Sequence, residues 1–93
     1  MTPEYVFNSS VNDAKNEMFP YLHFLRRRGS GVVLEIGTDR GYSTAAFLLG
    51  VEKNGGHVYS VDIGAHCAKL YEGHPQWTFI QENSANVESI FVS

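Results

Sequence analysis

No other stretch constrains this chain as much as Val32-Val33-Leu34-Glu35-Ile36 running into Gly37-Thr38-Asp39-Arg40-Gly41. A short, β-branched, nearly continuous apolar run bounded by glycines fits a parallel strand covered on both faces. Beyond the glycine turn, Tyr42 to Val51 sets Tyr42, Ala45, Ala46 and Leu49 along one helical face, with Phe47, Leu48 and Val51 beside it. That predicts a mostly buried helix. Lys53-Asn54-Gly55-Gly56 ends it with a positive last turn and residues that tolerate left-handed backbone.

The flanking segments extend the alternation. His57 to Ile63 reads as a second strand and Ala65 to Tyr71 as a short helix closed by Gly73-His74-Pro75. Trp77-Thr78-Phe79-Ile80 follows as an aromatic and β-branched third strand, and Ala85 to Phe91 can start a last helix. Upstream, Ser10 and Asp13 have the spacing of a capping box, and Ala14, Met18, Leu22 and Leu25 recur at helical intervals. Pro20 lies inside that pattern, so a kink or break is expected near Phe19 in a helix spanning Asn12 to Arg28. Strands separated by helical segments at this pitch imply βαβ units, a parallel sheet and right-handed crossovers.

Length bounds the answer further. Ninety-three residues, 43% of them hydrophobic, make one small domain; folding hides roughly 60–65% of the extended-chain surface. Within it, residues 1–30 form a helical segment and residues 31–93 a βαβαβ core. A net charge of −3, with only Arg26, Arg27 and Arg28 clustered, argues against a broad nucleic-acid surface or a polybasic membrane patch. Those arginines suit the negative end of a helix dipole, and phosphate binding is the rarer use of such a run. The single Cys67 has no intramolecular disulfide partner, which fits a reducing compartment such as the cytoplasm. No run approaches the roughly 18 apolar residues of a membrane span, and Met1 to Asn12 lacks the order of a signal peptide.

The turn after the first strand is where chemistry is expected. A parallel strand delivers its carboxyl end there, and the free N–H groups of the next helix point into the same crevice. Gly37 lets a ligand approach the backbone, and Gly41 lets the helix start tight against the strand. The spacing G-x-x-x-G is neither the dinucleotide fingerprint nor a Walker loop. About 20–25 residues on, Ser60-Val61-Asp62 places a carboxylate beside the crevice, where one acceptor side chain can read both hydroxyls of a ribose.

Val33-Leu34-Glu35-Ile36-Gly37-Thr38, then Gly41-Tyr42-Ser43-Thr44, then Val58-Tyr59-Ser60-Val61-Asp62 resemble the first two motifs of class I S-adenosylmethionine-dependent methyltransferases. The similarity is greatest to the small-molecule O-methyltransferases of the catechol type, and it covers roughly Gly31 to Ser93. The preceding helix matches the extra helix such enzymes often carry. The resemblance implies a Rossmann-like three-layer αβα fold with a short parallel sheet of three strands, half of a class I domain.

It also implies roles. Gly37, Thr38 and Gly41 would form the loop under S-adenosylmethionine, and Tyr42 and Ser43 would open the helix, with Ser43 and its backbone N–H holding the methionine carboxylate. Glu35 would face the cofactor's ammonium directly or through water, Asp62 would bind the ribose hydroxyls, Ile63 would pack on the adenine, and Ser84 would contact the adenine edge. Asp39 stands where many class I enzymes have a middle glycine, and Glu82 stands where a glycine is commoner. In the catechol-type group the metal ligands and catalytic base follow a fourth strand, beyond the stretch matched here. The cofactor half of the pattern is therefore present and the chemical half is not.

Plainer readings stand beside these. Gly37 and Gly41 can simply make a turn, and Asp62 can be a helix cap or turn former. His66, Cys67 and His74 make a poor zinc set, lacking a fourth ligand, and Cys67 fits a small buried hydrophobe better than a nucleophile. Tyr59, Trp77 and Phe79 fit a core better than a base-stacking platform. The expected function is methyl transfer from S-adenosylmethionine to a small-molecule acceptor, completed by an oligomer or partner. Its rivals are a non-catalytic binding module for this cofactor or a nucleotide, and a truncated assembly subunit. In a sheet of order 3-2-1-4-5 the first strand lacks a neighbour here, so a homo-oligomer, most simply a two-fold dimer, covering Val32 to Ile36 is expected.

Overall fold

Three parallel strands carry the architecture: β1 (Gly31–Ile36), β2 (Gly56–Asp62) and β3 (Trp77–Gln81), hydrogen-bonded in the order β1-β2-β3. The computed structural model of the chain describes residues 2–11, 19–38 and 41–86. Val33 pairs with Val58 and Glu35 with Ser60, while Ser60 in turn pairs with Phe79. This is a mixed α/β chain with a parallel sheet, compatible with a small Rossmann-like half-domain.

The helices are α1 (Pro3–Val11), α2 (Phe19–Arg28) and α3 (Tyr42–Asn54). α3 is the crossover between β1 and β2, and it buries Ala45, Ala46, Leu48 and Val51 completely. α1 and α2 pack on α3 rather than on the sheet, adding Val6, Phe7 and Leu22 to the same core. Each fully buried side chain of this size contributes about 1.5–3 kcal/mol, which outweighs the weak helix preference of the short α1. Gly50 permits the close approach of α3 to the end of α2, because a methyl group on it would lie 2.6 Å from Gly29 Cα and 2.8 Å from Gly29 O.

The amino-terminal helix starts earlier than its capping-box pattern suggests. Thr2 is the cap: its Oγ1 accepts the Tyr5 N–H at 3.2 Å, and Pro3 and Glu4 suit the first turn. Ser10 instead lies inside α1 and donates to Val6 O at 2.8 Å. Asp13, Ala14 and Met18 lie outside the described residues. Pro20 falls in the first turn of α2, where its missing N–H costs nothing.

Downstream, residues 65–71 make a 3-10 helix, Ala65–Lys69, followed by turns rather than an α-helix. A second 3-10 turn, Ser84–Asn86, stands where the last helix was expected to start, and residues 87–91 lie outside the described residues. Cys67, Tyr71 and Trp77 are buried, and Phe79 packs against the core they help form. Tyr59 is half-buried with its ring 4.6 Å from that of His57. Among the described residues no three His, Cys, Asp or Glu side chains gather as a metal site, and no helix is long and apolar enough to cross a membrane.

The expected three layers become two among the described residues. Val33 and Glu35 face α3, and the alternate residues of β1 turn to the opposite side of the sheet. There Val32, Leu34 and Ile36 are 80%, 43% and 56% exposed, so β1 is not covered on both faces. The physical reason is topological: both connections run the same way from β1 to β3, which places α3 and the 3-10 segment on one face. Val61, between Ile36 and Ile80 in the ladder, is nonetheless buried.

Candidate functional site

A cleft of about 220 Å³ lies beyond the carboxyl ends of β1 and β2, lined by Ile36, Gly37, Val61, Asp62, Ile63, Glu82 and Asn83. This is the position at which open parallel sheets bind ligands. Gly37 leaves β1 with φ of 88° and donates its N–H to Val61 O at 2.7 Å. A methyl group there would meet no protein atom within 4 Å, so the wall of the cleft is open at this residue.

Asp62 ends β2 and binds both sides of the cleft floor. Its Oδ2 accepts the Thr38 N–H at 2.7 Å and its Oδ1 accepts the Gly64 N–H at 2.8 Å. The carboxylate itself lines the cleft. Ile63 follows, 71% exposed at the rim. Glu82 closes the far side; its N–H donates to Asp62 O at 3.1 Å, and its Oε1 accepts from Asn83 N and Asn86 Nδ2, both at 2.9 Å. Those two donors hold the Glu82 carboxyl below the usual carboxylate range.

Behind the turn lies a second polar cluster, centred on the buried Glu35. Glu35 Oε2 accepts Ser43 Oγ–H at 2.5 Å, while Oε1 accepts the Thr44 hydroxyl and, at 2.9 Å, the Ser60 hydroxyl. Trp77 Nε1–H donates to Ser60 Oγ at 2.9 Å, extending the network to β3. Burial raises the Glu35 pKa above its ordinary value, outweighing the three hydroxyls that lower it, and the nearby Asp62 charge adds to the rise. The Tyr71 hydroxyl donates to Gly41 O at 2.7 Å, and burial followed by the Glu35 charge pushes its pKa well up. It therefore stays a donor.

The structure brings together Gly37, Asp62 and Ile63 of the residues singled out from sequence. It places the six others outside the cleft lining. Glu35 and Ser43 bond each other behind the turn, and neither is among the residues that line the cleft. Thr38 is 2% exposed and its Oγ1 has no hydrogen-bond partner. Gly41 is buried against Leu70 and Tyr71 rather than against the strand, and Tyr42 packs on the core. Ser84 opens the 3-10 turn after Asn83, and Asp39 lies outside the described residues. Sequence reasoning missed Ile36, Val61 and Asn83 and noted Glu82 only as a departure; the signal was their position at the carboxyl ends of strands.

Comparison with family models, with curated proteins and with solved structures gave no match to the chain.

Proposed function

We propose that the cleft binds the adenosyl part of S-adenosylmethionine and that the chain is a methyltransferase-like protein acting on a small-molecule acceptor. The observation that carries this reading is the charge of the cleft. Among the described residues its lining holds two carboxylates, Asp62 and Glu82, and neither Lys nor Arg. Such a wall suits ribose hydroxyls and a positively charged cofactor, and it repels the phosphates of ATP or NAD.

The residues fit part of the cofactor. A cleft of about 220 Å³ is smaller than the roughly 300–1,000 Å³ that encloses a drug-sized ligand, so a nucleoside-sized portion is what it holds. Asp62, already fixed by two backbone N–H groups, is pre-oriented to accept from a diol, and Ile63 offers an exposed apolar surface to a base. When bound, S-adenosylmethionine supplies an activated methyl group to an acceptor held in line with it. The chain's own contribution is to bind and orient. The Glu35–Ser43 bond favours a second reading, a binding module without catalysis, because it withdraws both side chains from the cofactor.

Isothermal titration tests the proposal. S-adenosylmethionine and S-adenosylhomocysteine should bind more tightly than ATP or NAD, and equal or tighter binding of the latter pair overturns it. Methyl transfer with a supplied partner chain then separates the enzyme from the module.

A further inference from the structure

A second cleft, of about 410 Å³, lies between the last turns of α2 and α3, at the end of α3 away from the cofactor cleft. Among the described residues its lining holds Arg26, Arg27 and Lys53, with His23 beside them, and neither Asp nor Glu. The first cleft has the reverse composition. Three of the seven Lys and Arg side chains of a chain with net charge −3 therefore converge on one hollow. Only Arg26 and Arg27 are neighbours in sequence; Lys53 joins them through the packing of α2 on α3.

Helix dipoles account for part of this charge. Cations suit the negative ends of helices, and both α2 and α3 end here. Two such ends amount to about one negative charge, so three cations exceed what the dipoles balance. Side chains supply no further balance. Among the described residues none of the three makes an ion pair, and Glu52, next to Lys53 in sequence, has its Oε1 2.7 Å from His74 Nε2 instead. A concave site lined by one sign of charge concentrates ions of the other.

The hollow is also held in shape. The Arg26 guanidinium lies 5.0 Å over the ring of the buried Phe7, and the same ring meets His23 edge-on at 5.3 Å. Stacking engages the flat face of the guanidinium and leaves its N–H edge to a ligand. Asn54 Nδ2 donates to Gly29 O at 3.0 Å, which ties the ends of the two helices together. Arg28 takes no part; its guanidinium lies 4.9 Å over the Phe24 ring, outside the lining.

We infer that this cleft binds a diphosphate group, either as the free ion or as the end of a small molecule. Three cations match two adjacent phosphoryl groups better than one, and guanidinium forks pair phosphate oxygens two at a time. The volume falls within the roughly 300–1,000 Å³ of small-ligand sites. Convergence on one hollow, in an acidic chain, suits a compact anion, whereas a nucleic-acid strand calls for cations spread along its backbone. The 13 residues of α3 hold the two clefts roughly 20 Å apart, so this site stands independently of the adenosyl reading.

Isothermal titration of the chain with inorganic pyrophosphate, in metal-free buffer, tests the inference. Pyrophosphate should bind at least about tenfold more tightly than orthophosphate or sulfate. Arg27→Gln and Lys53→Gln should each weaken it by at least about tenfold, whereas Arg28→Gln, which removes the same charge outside the lining, should change it by no more than about twofold. All three side chains are exposed, so circular dichroism should be unchanged. Saturating S-adenosylmethionine should leave pyrophosphate affinity as it is. ADP as a second probe separates the two sources: binding within about threefold of pyrophosphate assigns the end of a larger molecule, and weaker binding assigns the free ion. Absence of pyrophosphate binding overturns the inference. So does an equal loss in Arg27→Gln and Arg28→Gln, which marks attraction by net charge alone. Lys53→Gln leaves the first cleft intact, so S-adenosylmethionine can be compared with ATP and NAD in that variant, and failure there counts against the adenosyl reading only.

Discussion

The carboxylate of Asp62 and the backbone N–H of Thr38 are joined by a 2.7 Å hydrogen bond across 24 residues of sequence. It ties the turn after β1 to the end of β2, and the Gly64 N–H on the other oxygen ties down the exit from β2. One side chain therefore shapes the cleft and faces it. Its loss should register in both stability and binding, and the two must be measured separately.

Asp62→Ala removes two hydrogen bonds to a charged acceptor, each worth about 1.5–3 kcal/mol when fully buried; at the half-buried Asp62 solvent screens them, and unfolding stability should fall by about 2–4 kcal/mol. Asp62→Asn keeps one acceptor oxygen and should cost about half as much. In calorimetry on folded protein, Asp62→Asn should weaken S-adenosylmethionine by at least about tenfold, whereas Glu82→Ala should change it by no more than about threefold. Equal effects of the two substitutions would show that the ribose contact is misassigned.

Glu35 should make stability depend on pH in the sense opposite to most carboxylates. Its folded pKa lies above the ordinary 4.5, so between those two values the folded state holds a proton that the unfolded state has lost. The unfolded state then binds fewer protons, and stability falls as pH rises through that window. The contribution is complete below the unfolded pKa and gone above the folded one. Urea titrations at about pH 4.5 and about pH 7 should show the wild type losing stability relative to Glu35→Gln, which keeps the shape and removes the charge. A pH-independent difference between the two proteins would contradict the burial of that charge.

The sequence revealed strands better than sites, and the reason is range. Val32 to Ile36, His57 to Ile63 and Trp77 to Ile80 are apolar runs closed by glycine, proline or polar residues, a local pattern that needs no partner to be read. The three strands were found within a residue or two of their ends. The start of α1 was also local, in Thr2-Pro3-Glu4, but the Ser10–Asp13 spacing drew attention away from it. The surroundings of Glu35 were hidden for the opposite reason. Its three hydroxyl partners lie 8, 9 and 25 residues away, and nothing in its neighbourhood says that they, rather than a ligand, saturate it. Asp62 was legible as a carboxylate at a strand end, while its grip on Thr38 and Gly64 emerges only from the turn geometry.

The two turn glycines should separate packing from binding. Both have left-handed backbone, with φ of 88° at Gly37 and 83° at Gly41, so alanine at either strains the chain by about 1–2 kcal/mol. Their surroundings differ. A methyl group at Gly41 would stand 3.1 Å from Leu70 Cδ1 and from the Tyr71 hydroxyl, the group that donates to Gly41 O, whereas one at Gly37 would meet nothing within 4 Å. Gly41→Ala should therefore cost about 1–2 kcal/mol beyond the backbone strain, and Tyr71→Phe, which removes only the hydroxyl, about 0.5–1.5 kcal/mol. In Tyr71→Phe the extra cost of Gly41→Ala should shrink, because the two residues share one contact. Gly37→Ala should fold with the strain penalty alone and yet weaken S-adenosylmethionine, since Gly37 lines the cleft. Chemical denaturation followed by the fluorescence of the single Trp77, paired with calorimetry, reads both quantities. A Gly37→Ala variant that binds as well as the wild type would move the ligand away from this turn.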